Sequence, residues 1–261
     1  VVHFQHLLGL SSKLPAFARK AKVPSVATLH DYWFTCPKSQ LIDEHGDPCS
    51  GPHWGVNCVR CAAARLDSPL VAKAAPLLAP AFMLRQRTVR NAYRRVDRLL
   101  APSDFLLQQA LHAGLPAKKL QRVRFGRIPA PAQARTERPA GAPLRVAYLG
   151  AIDPSKGVHV LLEACRSLDP RQVAVAVYGA VDAAAPEYAT QVQAQATATP
   201  YGKGLLRGQL RHERVAGMLA ETDVLVAPSL WYENAPMVIA EAFAAGVPVV
   251  ASNLGALAEH V

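Results

Sequence analysis

Short apolar runs recur along this chain, each closed by Gly, Pro, Ser or a charged residue. Between them lie longer mixed segments with apolar positions three and four apart. In the first half the runs predict strands over 1–4, 25–29, 98–101 and 120–125, with helices over 13–22, 81–100 and 103–112. In the second half they predict strands over 144–150, 173–178, 204–207, 224–227 and 247–251. Helices are predicted over 158–168, 186–196 and 212–220, and over a stretch opened by Pro236 and closed by Gly246. Strand and helix alternate throughout, the pattern of parallel α/β sheets. The stretch 128–143 holds four prolines among Ala, Gly and isolated charges. It predicts a linker, so the expected domains are 1–128 and 144–261, joined by 129–143.

Chemistry-bearing residues cluster at the carboxyl ends of these strands, the edge where open parallel sheets bind ligands. Glu233 and Asn234 follow strand 224–227, and Glu241 lies inside the next helix. Gly150 ends strand 144–150, and Lys156 and Gly157 open the helix after it. A lysine beside free N–H groups at a helix start is an anion site. His6 and His30-Asp31 end the first two strands. His30 reads equally as a group facing a ligand or as one bonding loop backbone.

Hydrophobic residues make up 51% and charged residues 18% of the 261, a composition for folded cores. No apolar run approaches the length of a membrane span, and no signal-peptide pattern opens the chain. The chain begins within an expected strand and ends within an expected helix start, which reads as a piece of a longer protein. The net charge of +10 is uneven: 19 Lys+Arg against 7 Asp+Glu up to residue 130, then 10 against 12. Arg87, Arg90, Arg94 and Arg98 are expected on one helix face, a stripe suited to an anionic surface and unaccompanied by any apolar anchor. No Gly-x-Gly-x-x-Gly follows a strand, which argues against a nicotinamide or flavin site. Aromatics, at 7%, do not interleave with the arginines, so a basic nucleic-acid-binding module is the weaker alternative.

Residues 36–61 form an insertion rich in Gly, Pro, Asp and His, without evident core periodicity. Cys36, Cys49, Cys58 and Cys61 punctuate it, the last two as a C-x2-C pair. A structural zinc or other thiophilic ion, disulfides, and free thiols are all open readings. Cys165, on an expected helix, reads as core.

The Glu233-x7-Glu241 spacing, followed by Ala242-Phe243-Ala244-Ala245-Gly246-Val247-Pro248, resembles the donor-site signature of retaining glycosyltransferases of family 4. That resemblance implies the GT-B fold: two Rossmann-like parallel-sheet domains, both incomplete here. It also implies a UDP- or GDP-sugar donor, a glycan or lipid-diphosphate acceptor, no catalytic cofactor, and a cytoplasmic site on a membrane face. Glu241 would bind the ribose, Glu233 would lie beside the donor sugar, and His30 would approach that sugar. Gly150, Lys156 and Gly157 match the diphosphate loop, although Ala151 stands where the family carries Arg. Arg207 is the expected substitute, and Leu210 lies where the family passes its backbone beside the base. Polysaccharide synthesis is the implied setting. A sugar-nucleotide epimerase or a phosphorylase is the alternative on the same fold.

Overall fold

A computed structural model describes residues 1–124, 126, 134–181 and 186–261. The chain divides into two compact units, Val1–Phe125 with Trp231–Ala235, and Gly126–Leu230 with Pro236–Val261.

The first unit is built on a parallel sheet in the order β1 (Val2–Phe4), β2 (Ser25–Thr28), β3 (Arg98–Ala101), β4 (Leu120–Arg122). Its helices are α1 (Leu14–Lys20), α2 (Val56–Arg65), α3 (Pro69–Lys73), α4 (Ala75–Arg95) and α5 (Asp104–His112). Val89, Ala92 and Tyr93 of α4 and Leu106 of α5 join Ala27 and Leu99 of the sheet in one core. Asp97 accepts from the backbone and hydroxyl of Ser25 at 2.8 and 3.0 Å, pinning β3 to β2.

The helices depart from the sequence pattern in three places. Sequence reading found neither α2 nor α3, because cysteine and polar positions mask α2, whose Val59 packs against Ala75 and Ala79 of α4. That packing also lets α4 begin at Ala75 and run through Pro80, where one backbone bond is forgone. At its other end α4 stops at Arg95. Val96 is extended, and Lys119 Nζ donates to the Arg94 and Val96 carbonyls at 2.7 and 2.8 Å. The predicted Arg stripe is therefore broken. Arg98 lies on β3, while Arg90 and Arg94 donate to the carbonyls of Ala113 and Gly114 at 2.9 and 2.8 Å, closing the end of α5.

The second unit has a parallel sheet in the order β7 (Leu206–Gly208), β6 (Val173–Tyr178), β5 (Leu144–Leu149), β8 (Val224–Ala227), β9 (Val249–Ala251). Helices α6 (Val158–Cys165), α7 (Pro186–Thr197), α8 (Val215–Ala220), α9 (Met237–Ala244) and α10 (Leu257–His260) surround it. Alternate β5 residues enter different cores. Tyr148 joins Val158, Leu162, Val177 and Val192, whereas Ala147 joins Leu219, Leu225, Ile239 and Ala242. Cover on both faces explains why the central strands β5 and β8 read as unbroken apolar runs. Cys165 is fully buried in the first of these cores, as expected.

Of the predicted linker 129–143, residues 129–133 lie outside the described residues. The described remainder, 134–143, is an arm bound to the second unit. Thr136 donates to the Ala220 carbonyl at 2.8 Å, and Arg135 to the Gly246 carbonyl at 2.9 Å. Arg135 and Arg138 also pair with Asp223 at 3.6 and 3.4 Å. Arg145 on β5 binds both oxygens of Asp223 at 2.9–3.1 Å. Arg145 foremost, with Arg138, holds the Asp223 carboxyl down to about 2. This cluster fastens the arm and β5 to the start of β8, opposite the edge that carries the candidate site.

Candidate functional site

In the second sheet β5 and β8 are neighbours, but the chain leaves them toward opposite edges, to β6 and to β9. That reversal is the switch point at which open α/β sheets bind ligands. Two loops leave it, 150–157 after β5 and 228–236 after β8.

The first loop is shaped by local capping. Asp153 accepts from the Ser155 backbone at 2.8 Å and from the Ser155 hydroxyl, winding Pro154–Lys156 into a 3-10 turn. Gly157 follows in the left-handed region, φ 70°, as the N-cap of α6. No other residue type fits there: a Cβ on Gly157 would lie 1.9 Å from the Pro228 carbonyl oxygen. The Leu230 N–H donates to the Ser155 carbonyl at 2.7 Å, joining the two loops. Lys156 is half-buried at this junction. In the first turn of α6, His159 bonds the Tyr188 hydroxyl at 2.8 Å, and burial lowers its pKa. Glu241 is half-buried in α9, just over one turn from its start. Gly246, φ 71°, closes that helix as expected.

The remaining predicted donor residues of this unit are Gly150, Arg207 and Leu210. Gly150 ends β5 with its N–H on the Tyr178 carbonyl at 3.1 Å. Arg207 is exposed on the edge strand β7, two places from β5. Leu210, past β7, packs against the core that contains Ile239. Gly179 was missed. It passes so close to the β5 end that a Cβ would lie 2.1 Å from the Gly150 carbonyl oxygen.

Glu233, Asn234 and His30 belong to the first unit, so the predicted donor set is divided. Glu233 and Asn234 are each 7% exposed. Trp231 Nε1 donates to Glu233 Oε1 at 2.9 Å, and Asn234 Nδ2 donates to the His30 carbonyl at 2.7 Å. The Tyr232 ring stacks on Phe105, centroids 4.7 Å apart, which holds the segment in place. Asn234 Oδ1 is buried without a hydrogen-bond partner among the described residues, and such an atom calls for one. His30 itself bonds Gln5 Oε1 through Nε2 at 2.7 Å. Burial, then the neighbouring His6, lowers its pKa, so it is neutral near pH 7. His6 is locked: its Nδ1 accepts from Leu8 N–H and its Nε2 donates to Asp31 Oδ2 at 2.9 Å. That fixed pair is structural, a reading that spacing alone does not supply.

All five cysteines are free. Cys36, Cys49, Cys58 and Cys61 line one cavity of about 150 Å³, bounded also by Leu41 and Phe82. Burial pushes the Cys58 thiol up to about 11 and the Cys61 thiol up to about 12, and Cys61 donates to Glu44 at 3.5 Å. Among the described residues no three Cys, His, Asp or Glu side chains are already drawn together as an ion site.

Comparison with known proteins sets this geometry in context. Residues 143–261 match the family model described as glycosyl transferases group 1. WcaL of Salmonella typhimurium, a glycosyltransferase assigned to colanic acid biosynthesis, is 27% identical over 181 residues, covering 66% of this chain and 43% of that protein. The amylovoran biosynthesis glycosyltransferase AmsK of Erwinia amylovora is 29% identical over 175 residues, covering 63% and 42%. The chain thus spans less than half the length of the curated relatives it matches. Among solved structures, Anabaena HepE in complex with UDP and glucose superposes with a TM-score of 0.65 at 19% identity, covering 96% of this chain and 60% of that one. The architecture is that of the GT-B glycosyltransferase structures.

Proposed function

We propose that this chain is part of a glycosyltransferase that moves a sugar from a UDP- or GDP-sugar to a glycan or lipid-diphosphate acceptor with retention of anomeric configuration. The observation that carries the proposal is the pair of loops at the β5/β8 switch point, locked by Gly157 against Pro228, which sets Lys156 at the N-terminus of α6. The polysaccharide-building relatives and a structural neighbour solved with UDP support the same reading.

The difficult step is departure of the diphosphate as negative charge builds on it. Lys156 and the α6 amides supply positive charge where that group leaves. Glu241 takes the ribose hydroxyls. In the first unit, Glu233 orients the donor sugar and stabilises positive character at its anomeric carbon. Asn234 Oδ1 accepts one sugar hydroxyl, which meets its unfilled hydrogen-bonding capacity. His30 approaches the same sugar. The acceptor oxygen bonds to the anomeric carbon on the face the diphosphate leaves, and its proton passes to the departing phosphate oxygen.

The first unit also exposes Leu66, Leu70, Leu77 and Leu84 around α2–α4, beside the exposed Arg65, Lys73 and Arg87. This apolar component is absent from the sequence reading. It fits an anionic lipid surface, where a lipid-linked acceptor is held. No helix among the described residues is long and apolar enough to cross a membrane.

The test is to supply the full-length protein with UDP- and GDP-sugars and acceptor extract, and to read the product's anomeric configuration by NMR. Retention is expected, with turnover surviving chelation of divalent ions and falling roughly 10²–10³-fold in Lys156→Ala. An inverted product, or full activity without Lys156, would overturn the reading.

A further inference from the structure

We propose that Cys36, Cys49, Cys58 and Cys61 are the four ligands of a structural zinc site that clamps residues 36–61 onto α2 and α4. Four of the chain's five cysteines arrive at one cavity of about 150 Å³ from three separate places: the turn after β2, the loop 43–55, and the start of α2. Cys58 and Cys61 are three apart on α2, hence on one helix face. Zinc–sulfur bonds of about 2.3 Å put tetrahedral sulfurs about 3.8 Å from one another. The four sulfurs must reach that spacing for the ion to bind.

The backbone of the segment calls for such a clamp. Ser39, Leu41 and Trp54, three of the five non-glycine residues with positive φ among those described, fall within it. Each is disfavoured for an L-residue and persists only where surrounding structure over-determines it. Cys36 and Leu41 pack into the main core of the first unit, but Trp54 is exposed and the cluster on α2 is small, with Val59, Ala75 and Ala79 buried in it, so packing constrains only part of the segment.

Polar donors also reach one of the sulfurs. The Gly51 N–H and Asn57 Nδ2 donate to Cys49 Sγ at 3.4 and 3.6 Å. Donors aimed at a ligand sulfur orient it and favour its charged form. Four thiolates on one zinc leave a net negative charge, and Lys38 and Arg65 line the same cavity. Each cysteine releases its proton to solvent as its sulfur binds the ion.

The experiment uses the full-length protein, prepared in reductant without chelator. Elemental analysis should find about one zinc per chain. Exchange with Co²⁺ should give the near-ultraviolet sulfur-to-cobalt band and intense visible bands of a tetrahedral thiolate site. Cys165→Ser should leave both unchanged, whereas Cys49→Ser should lose the four-sulfur spectrum. If that variant fails to fold, the wild type decides the matter. Its cysteines should resist a thiol reagent in mild denaturant until a strong chelator is added. Absence of zinc, with no uptake of added Zn²⁺ or Co²⁺ by the reduced protein, would overturn the proposal. So would a mass showing disulfides among these four cysteines.

Discussion

Replacing Gly157 by alanine perturbs the contact that organises the second unit's candidate site. Gly157 has φ 70°, and a Cβ there would sit 1.9 Å from the Pro228 oxygen and 2.9 Å from its carbon. Both are backbone atoms at the end of β8, so no side chain can swing aside. Left-handed backbone costs alanine about 1–2 kcal/mol. Separating the loops by more than an ångström adds about 1–3 kcal/mol of overpacking. Gly202 supplies the control: its φ is 59°, but nothing lies within 4 Å of its Cβ position. Gly202→Ala should therefore lower the thermal midpoint only by the backbone cost, roughly 2–8 °C, and Gly157→Ala by roughly 4–20 °C, the larger shift of the two. Differential scanning fluorimetry of the two variants reads the difference directly. Equal shifts would refute the close approach of the loops and with it the placement of Lys156.

The Asp223 cluster makes a pH prediction. Its folded pKa, about 2, lies below the ordinary 3.8, so its stabilisation is complete above about pH 4 and is lost as pH falls toward 2. Asp223→Asn should cost about 2 kcal/mol in urea unfolding at pH 7, and the gap to wild type should narrow below pH 4; a pH-independent gap would contradict the ion-pair account. For the lipid surface, the protein should sediment with anionic vesicles, and Leu77→Ser with Leu84→Ser should weaken this even at low salt. Equal binding to neutral vesicles, or no effect of the two serines, would leave those leucines without that role.

Much of the second unit was legible because its central strands β5 and β8 are covered on both faces. The β6 and β8 boundaries, 173–178 and 224–227, coincide with their apolar runs. The Lys156-Gly157 turn and the Pro236 and Gly246 helix limits were legible because caps are local chemistry. The Asp153 cap carries an equally local signal, Asp before Pro-Ser, and was open to the same reading. What escaped depends on contacts distant in sequence. Asn234 bonds the carbonyl of His30, 204 positions away. Arg90 and Arg94 look like a solvated charge stripe until α5 brings its terminal carbonyls to them. The α2–α4 assembly was hidden because Val59, Ala75 and Ala79 make a helix interface too small to register as apolar periodicity.

The central claim, that the second unit holds a nucleotide through Glu241, is tested most directly by calorimetric titration of UDP and GDP into the full-length protein and Glu241→Ala. A carboxylate taking two ribose hydroxyls contributes about 2–3 kcal/mol. One of the two nucleotides should bind at a single site, and the variant should weaken it roughly thirty- to hundred-fold. Binding of neither nucleotide, or an affinity unchanged by the substitution, would contradict the account.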